Sequence, residues 1–251
     1  DPNYKEGRRP IRLNRSEYAK GIPDTVENRN WQLKTLVKIL YKTPVTQIYV
    51  EDCEADDVIA YLASTKKSKL EKIIVTSDKD YYQLINDNTI IWSPNKKVLI
   101  DEQYVLDKWN IHPQNFCVTR CFAGDPSDGI KGVKGAGFKV MSKRFPELGT
   151  CISVTTNDII KRANTEVQNG SKLKLYSNMI SESHEVQKNW KLMYLDSLNI
   201  SADQVKKINF QIENKEEKVS KFDLLRILSE QGLNSFDIHT FLLTLKINIR
   251  T

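Results

Sequence analysis

Between Val26 and Tyr41 the side chains Trp31, Leu33, Leu36, Val37, Leu40 and Tyr41 fall largely at three- and four-residue spacings, which predicts an amphipathic helix. Gln47-Ile48-Tyr49-Val50 then predicts a short strand. A helical pattern returns from Ala55 to Ala63, with acidic residues in its first turn, where the helix dipole favours negative charge. The β-branched run Lys72-Ile73-Ile74-Val75-Thr76 predicts a buried parallel strand. Thr89 to Trp92 and Lys97 to Ile100, separated by Ser93-Pro94-Asn95-Lys96, predict a hairpin. Strand, helix and strand in succession imply a βαβ unit, and open α/β sheets bind ligands at the carboxyl ends of their strands.

Past Asp101 the strand signals fade. Helices are predicted over Glu102 to Trp109, Pro113 to Ala123, Thr156 to Glu166, Lys172 to Leu195 and Lys221 to Gln231. In the last of these, Phe222, Leu224, Leu225, Ile227 and Leu228 read as core rather than as a partner-binding face. Gly124 to Lys139 carries five glycines in sixteen positions, a mark of tight turns and close backbone approach. Asn3 to Pro23, rich in Arg, Gly and Pro without apolar periodicity, reads as an exposed basic segment.

Charge alters this picture mainly through its distribution. The 251 residues carry 38 Lys+Arg against 32 Asp+Glu, a net +6 that suits a polyanionic partner. Residues 1–50 alone hold ten basic and five acidic side chains and contribute +5. A hydrophobic content of 39% is enough for a buried core in one large domain or two joined ones. No apolar run approaches the roughly twenty residues that span a bilayer. Four cysteines without a CxxC pair or a signal-peptide pattern predict free thiols in a reducing, cytoplasmic compartment. Cys117 and Cys121 share a helix face, and with only His112 close in sequence they read as buried thiols rather than zinc ligands.

The chemistry concentrates in three acidic groups. Glu54-x-Asp56-Asp57 and Asp78-x-Asp80 each stand beside a predicted strand end, where hard divalent cations would find oxygen ligands and relieve like-charge repulsion. Helix capping and a solvated turn are the competing readings of these two. The third group, Gly124-Asp125-Pro126-Ser127-Asp128, runs directly into Gly129-Ile130-Lys131-Gly132-Val133-Lys134-Gly135-Ala136-Gly137-Phe138-Lys139. Glycines at 132, 135 and 137 would expose backbone amides to phosphate, and Lys131, Lys134 and Lys139 add attraction to a nucleic-acid backbone of any sequence.

Glu-Ala-Asp-Asp, then Thr-Ser-Asp-Lys-Asp, then Gly-Asp-x-x-Asp-Gly-Ile-x-Gly-Val-x-Gly-Ala-Gly-x-Lys, in this order and spacing, resembles the flap endonuclease and 5′ to 3′ exonuclease family. The bacteriophage members, including the phage ribonuclease H, and the 5′ nuclease domain of bacterial DNA polymerase I are the most similar branches. Trp92-Ser93-Pro94 followed by Lys96-Lys97 adds to the phage likeness, and the resemblance covers about Tyr4 to Leu195.

The resemblance implies an α/β fold, a mostly parallel, PIN-like sheet flanked by helices, joined to a helical DNA-binding half. It divides the chain into a catalytic part, 1–110, and a helical part, 111–251, with a helix-three-turn-helix around 124–145. It implies two magnesium ions, replaceable by manganese. Glu54, Asp56, Asp57 and Asp78 would surround one ion, with Asp80, Asp125 and Asp128 nearer the second. Lys131, Gly132, Lys134, Gly135, Gly137 and Lys139 would grip duplex DNA, with a potassium ion at the hairpin. Tyr4-Lys5-x-x-Arg8 resembles the family's arch base, which would set Lys5 and Arg8 at the scissile phosphate. The implied activity is hydrolysis near 5′ ends, flaps or nicks of DNA, or of RNA in an RNA/DNA hybrid, during phage or bacterial replication and repair. Whether a single-strand-binding protein or a sliding clamp is a partner stays open at the level of sequence, and the expected enzyme is a cytoplasmic monomer.

Two features depart from the family pattern. Relatives begin with an Asp-bearing strand and carry a second acidic residue ahead of the Tyr-Lys-x-x-Arg stretch, and both lie outside this sequence. The chain opens on Asp1-Pro2 without an initiator Met, which predicts a fragment, a processed product or a missing beginning. Gly129 also replaces a common Asn, a change expected to matter little. The competing functions are a catalytically inactive, structure-specific DNA-binding protein, disfavoured by seven retained carboxylates, and an RNA-cleaving nuclease, disfavoured by the Gly-rich hairpin.

Overall fold

The computed structural model describes residues 25–65, 71–196, 199–214, 221–233 and 235–247. It divides into two compact units, one over Cys53–Ile200 and one formed by residues on either side of it in sequence. This division by compactness cuts across the division at residue 110, because sheet and following helices share one core.

In the first unit, α2 (Ala55–Ser64) leads to β1 (Lys72–Val75), β2 (Thr89–Ser93) and β3 (Val98–Ile100). β1 and β2 are parallel from Lys72↔Thr89 to Val75↔Trp92, while β2 and β3 are the expected antiparallel hairpin, registered through Ile91↔Ile100 and Ser93↔Val98. The described sheet thus has one parallel and one antiparallel pairing. β1 is not the fully buried strand its composition suggests: Ile73 and Val75 are 53% and 66% exposed, while Ile74 packs on the core. Period-2 side-chain alternation explains the split, since only one face of this strand meets apolar neighbours among the described residues.

The helices are set by local signals. Asp101 caps α3 (Glu102–Trp109) by accepting from the Tyr104 amide, and Asn110, at φ 53°, closes it in the left-handed region. Pro113 opens a 3-10 turn that runs into α4 (Phe116–Ala123), whose residues Phe116 to Phe122 are all buried. α5 (Phe138–Arg144) follows the Gly-rich turn, and a Thr155/Asp158 capping box starts α6 (Thr156–Gln168). Beyond α6, where one helix was expected from Lys172 to Leu195, the chain forms α7 (Lys174–Ser181) and α8 (Ser183–Met193), broken at Glu182. α7 packs on α6 and α8 on α4, so the break lets each segment bury its own apolar side. The core gathers Ile91, Ile100, Phe116, Phe122, Met141, Phe145, Ile159 and Met179.

The second unit contains α1 (Val26–Leu40), α9 (Ala202–Glu213), α10 (Lys221–Glu230) and α11 (Ile238–Ile247). Leu224, Leu228, Ile238 and Leu242 form its buried cluster, with Ile39 against it. Phe222 and Leu225, expected in the core, are 75% and 44% exposed, because they fall off the buried face of α10. The strand expected at Gln47–Val50 does not form. There the Gln211 side chain takes the place of a partner strand, accepting from the Tyr49 amide at 2.8 Å and donating to its carbonyl at 2.9 Å. Among the described residues no helix is long and apolar enough to cross a membrane. Cys117 and Cys121 are buried as expected, whereas Cys151 is exposed.

Candidate metal centre

Each acidic group stands where an element begins or ends. Glu54 holds the N-cap position of α2 without making a side-chain capping bond, and Asp56 and Asp57 lie in the first turn. Capping by Glu54 therefore does not account for this group. Burial raises the Asp57 carboxyl above its usual range, and Glu54 and Asp56 push it further up against the opposing Asn199 hydrogen bond. After β1 the chain turns, Asp78 accepts from the Asp80 amide at 3.0 Å, and Asp80 opens a 3-10 turn, Asp80–Leu84. The third group follows α4, where Asp125 and Ile130 exchange two backbone hydrogen bonds of 2.8 Å around the Pro126–Asp128 turn. Asp125 Oδ1 accepts from the Ser127 amide at 2.9 Å and hydroxyl at 2.5 Å.

Two residues that sequence reasoning passed over tie these groups together. Arg120, on α4 and only 6% exposed, forms ion pairs through Nη2 with Asp80 Oδ1 and with Asp125 Oδ2, the latter at 2.6 Å. Tyr81, also buried, donates its hydroxyl to Asp56 Oδ1 at 2.5 Å and so links the first acidic group to the second. The signal for Arg120 was a lone charge inside the apolar stretch Phe116-Cys117-Val118-Thr119-Arg120-Cys121-Phe122, where an unpaired cation would be costly.

The electrostatics show how crowded the carboxylates are. Burial raises Asp80 to about 7 despite Arg120, with Asp78, Asp125 and Asp128 all contributing repulsion. At Asp125 burial also pushes upward, but the Ser127 hydroxyl, Arg120 and the Ser127 amide outweigh it and the net shift is downward. The guanidinium and Ser127 together outweigh burial at Asp125, whereas at Asp80 the guanidinium alone does not. Asp80 Oδ1 faces it as an ion pair but makes no hydrogen bond.

Asp78, Lys79, Arg120, Asp125 and Ser127 line an open cleft of about 670 Å³ that also reaches Gly137 and Phe138. Among the described residues no three Asp, Glu, His or Cys side chains form a ready-made metal cluster. The donor chemistry nevertheless fits a hard divalent ion: all the groups are carboxylates, they repel one another, and the buried Asp80 Oδ1 lacks a hydrogen bond. Lys5 and Arg8 lie outside the described residues.

The glycine-rich turn is braced mainly by the protein itself. A Cβ on Gly132 would stand 2.1 Å from the Ala123 carbonyl oxygen, and one on Gly124, at φ +74°, would meet the Gly132 nitrogen at 2.3 Å. Gly132 is thus required by a backbone crossing, a role distinct from the phosphate contact expected of it. Buried Asn189 on α8 donates to the carbonyls of Cys121 and Lys131 at 2.9 and 2.8 Å, and the Val133 amide reaches Phe122 O at 2.7 Å. Gly135, at φ +89°, and Gly137 are exposed, as are the side chains of Lys131, Lys134 and Lys139. Lys131 stands 3.8 Å from Glu182.

Residues 1–110 match the family described as 5′-3′ exonuclease, N-terminal resolvase-like domain. The thermostable DNA polymerase I of Thermus thermophilus is 34% identical over 149 residues, which is 59% of this chain and 18% of that protein. The 5′-3′ exonuclease of Buchnera aphidicola subsp. Schizaphis graminum is 32% identical over 121 residues, 47% of this chain and 42% of that one. The chain thus spans less than half the length of both relatives. Among solved structures, the bacteriophage T5 flap endonuclease in a pseudo-enzyme-product complex with DNA and metal ions superposes with a TM-score of 0.56 at 21% identity, covering 91% of this chain and 78% of that one. At that identity the likeness is one of fold, and it agrees with the α/β nuclease architecture expected from the motifs. Over residues 1–110, then, the sequence is similar to the 5′-3′ exonuclease N-terminal resolvase-like domain.

Proposed function

We propose that the chain is part of a divalent-metal-dependent 5′ nuclease that hydrolyses phosphodiesters near the 5′ ends, flaps or nicks of duplex DNA. The observation that carries this reading is the mutual approach of two separate acidic groups, Asp78/Asp80 and Asp125/Asp128, of which Asp78 and Asp125 line one open cleft beside an exposed lysine-bearing turn. A surface that only bound DNA would lose affinity by clustering carboxylates, whereas a metal site requires them. The names of the relatives, and the DNA and metal ions of the phage complex, support the same reading.

In this proposal Glu54, Asp56, Asp57 and Asp78 would hold one magnesium ion and Asp80, Asp125 and Asp128 would hold a second, with manganese able to replace either. Two ions so held would supply an activated water and neutralise charge on the leaving 3′ oxygen, which would give 5′-phosphate and 3′-hydroxyl ends. The protein's own part is positioning. Tyr81 holds Asp56, the Ser127 amide and hydroxyl hold Asp125, and the backbone crossing at Gly132 sets the hairpin. Lys131, Lys134 and Lys139, with the exposed backbone at Gly135 and Gly137, would hold duplex phosphates without reading sequence. Lys5 and Arg8 would counter charge on the scissile phosphate. On this division of labour residues 1–110 contribute most of the chemistry and 111–251 the grip, with Asp125 and Asp128 completing the centre from the helical side.

A DNA-binding protein without catalysis is the second reading, motivated by the Arg120 cation that already neutralises part of the cleft. Cleavage of 5′-flapped and nicked duplexes by the whole protein, with and without magnesium or manganese, separates the two. The expected outcome is strictly metal-dependent cleavage, abolished in the Asp78→Asn/Asp125→Asn double variant while DNA affinity is retained. The loss should be about a thousandfold or more, since metals contribute several kcal/mol at roughly 1.4 kcal/mol per tenfold in rate. Unchanged turnover in the double variant would overturn the proposal.

A further inference from the structure

We infer that Arg120 is a positioning residue of the carboxylate centre, an internal cation that holds Asp80 and Asp125 together in the metal-free protein and moderates the charge they present to an incoming divalent ion. The inference rests on the metal-dependent reading above.

Its ground is the placement of one charge. Arg120 lies in the middle of α4, flanked by Thr119 and Cys121 and one turn from Phe116 and Cys117, all of them buried. A guanidinium in such surroundings is expensive to desolvate, and an apolar side chain would commonly serve the core as well or better. Its presence there points to the groups it touches. Those groups come from two acidic motifs distant in sequence, and they meet on a single nitrogen, Nη2, rather than on the bidentate fork that gives an arginine–carboxylate pair most of its strength. The network is also incompletely satisfied, since Nε of Arg120 and Oδ1 of Asp80 are buried and make no hydrogen bond. A pair built only for stability would use the fork and satisfy its donors. One shared nitrogen at the wall of an open cleft instead suits carboxylates whose remaining oxygen sites are needed elsewhere.

Two consequences oppose each other. Removing the guanidinium frees two short side chains that a metal must then order, which weakens binding. It also removes a positive charge in direct contact with both carboxylates, which strengthens binding of a divalent cation. Each Asp has only two side-chain torsions to order, whereas the repulsion acts on a double charge across a few ångströms of partly buried space, so the charge effect prevails.

The test is a manganese titration of the whole protein followed by calorimetry or electron paramagnetic resonance, paired with thermal unfolding with and without the ion. Arg120→Gln should bind manganese about tenfold more tightly than wild type, a rough figure for one nearby cation. It should also melt at a lower temperature without metal and gain a larger shift on adding it. Arg120→Lys, which keeps the charge, should return both the affinity and the metal-induced shift to wild-type values. Arg120→Met is the more apolar alternative should the glutamine variant not fold. Affinity unchanged or weakened in the neutral variants, or tightened equally in Arg120→Lys, would overturn the role assigned to Arg120. Failure of the wild-type protein to bind manganese at all would instead overturn the metal-dependent reading.

Discussion

The acidic groups of the first unit are held by opposite means. Glu54, Asp56 and Asp57 belong to the start of one helix, where unpaired amides and the dipole supply a favourable field from neighbours in sequence, and a single tyrosine hydroxyl fixes Asp56 from outside. Asp80 and Asp125 come from different elements and share a buried guanidinium that belongs to a third. Local helix chemistry can place a few carboxylates along one turn. Bringing two chain segments with the same charge together takes a counter-charge from the core or an ion from solvent. Substitutions that act on the long-range arrangement should therefore cost more than those that act on the local one.

The largest effect is expected at Gly132. An added Cβ would collide with backbone at Ala123 and Gly124 rather than with a side chain that can swing away, so Gly132→Ala should destabilise the protein by about 3 kcal/mol or more and displace the Asp125 turn. Urea unfolding measures it, and a near-neutral result would show that the crossing does not fix the second acidic region. Tyr81→Phe keeps the ring and deletes the hydroxyl that reaches Asp56. Its cost should be about 1.5 kcal/mol, the size of a hydrogen bond to a charged group. A thermal melt that does not move would mean that the Tyr81 hydroxyl is not needed to hold the first acidic region.

Lys134→Ala leaves both acidic regions intact and tests the turn beside them. Duplex affinity should fall modestly, and the slope of log affinity against log salt should flatten by about one. Equal affinity for both proteins at low and high salt would remove the turn from the DNA interface. The smallest effect should come from Asp158, far in sequence from either acidic region. The Thr155 hydroxyl and amide hold its carboxyl below the usual range. A lowered folded pKa means that the stabilisation is present above the unfolded value, about 3.9, and disappears as pH falls through the folded one. Because this side chain is exposed, the contribution should be a few tenths of a kcal/mol after screening. Asp158→Asn should abolish that pH dependence while leaving metal binding unchanged.

Much of this was legible beforehand. The hairpin strands, α3 and α6 follow from alternation, Pro and Gly punctuation and capping residues, all of which act within a few positions. The acidic motifs and the Gly-Lys turn also announced themselves through spacing. The misses share one cause. Gln47–Val50 failed as a strand because a glutamine side chain from the other end of its unit satisfied Tyr49. The expected long helix broke at Glu182 because α7 and α8 answer to different neighbours. The backbone crossing of Gly132 with Ala123 and Gly124 likewise carries no signal within a few positions of the chain.

What the sequence by itself determined is therefore the local chemistry: where carboxylates cluster, where helices start, and which turn carries glycine and lysine. Tertiary structure alone decided which of those carboxylates meet, and that Arg120 and Tyr81 stand between them. The physical reason is that periodicity and capping act over a few residues along the chain. Desolvation and ion pairing depend on distance through space, which is settled only when the core closes around α4.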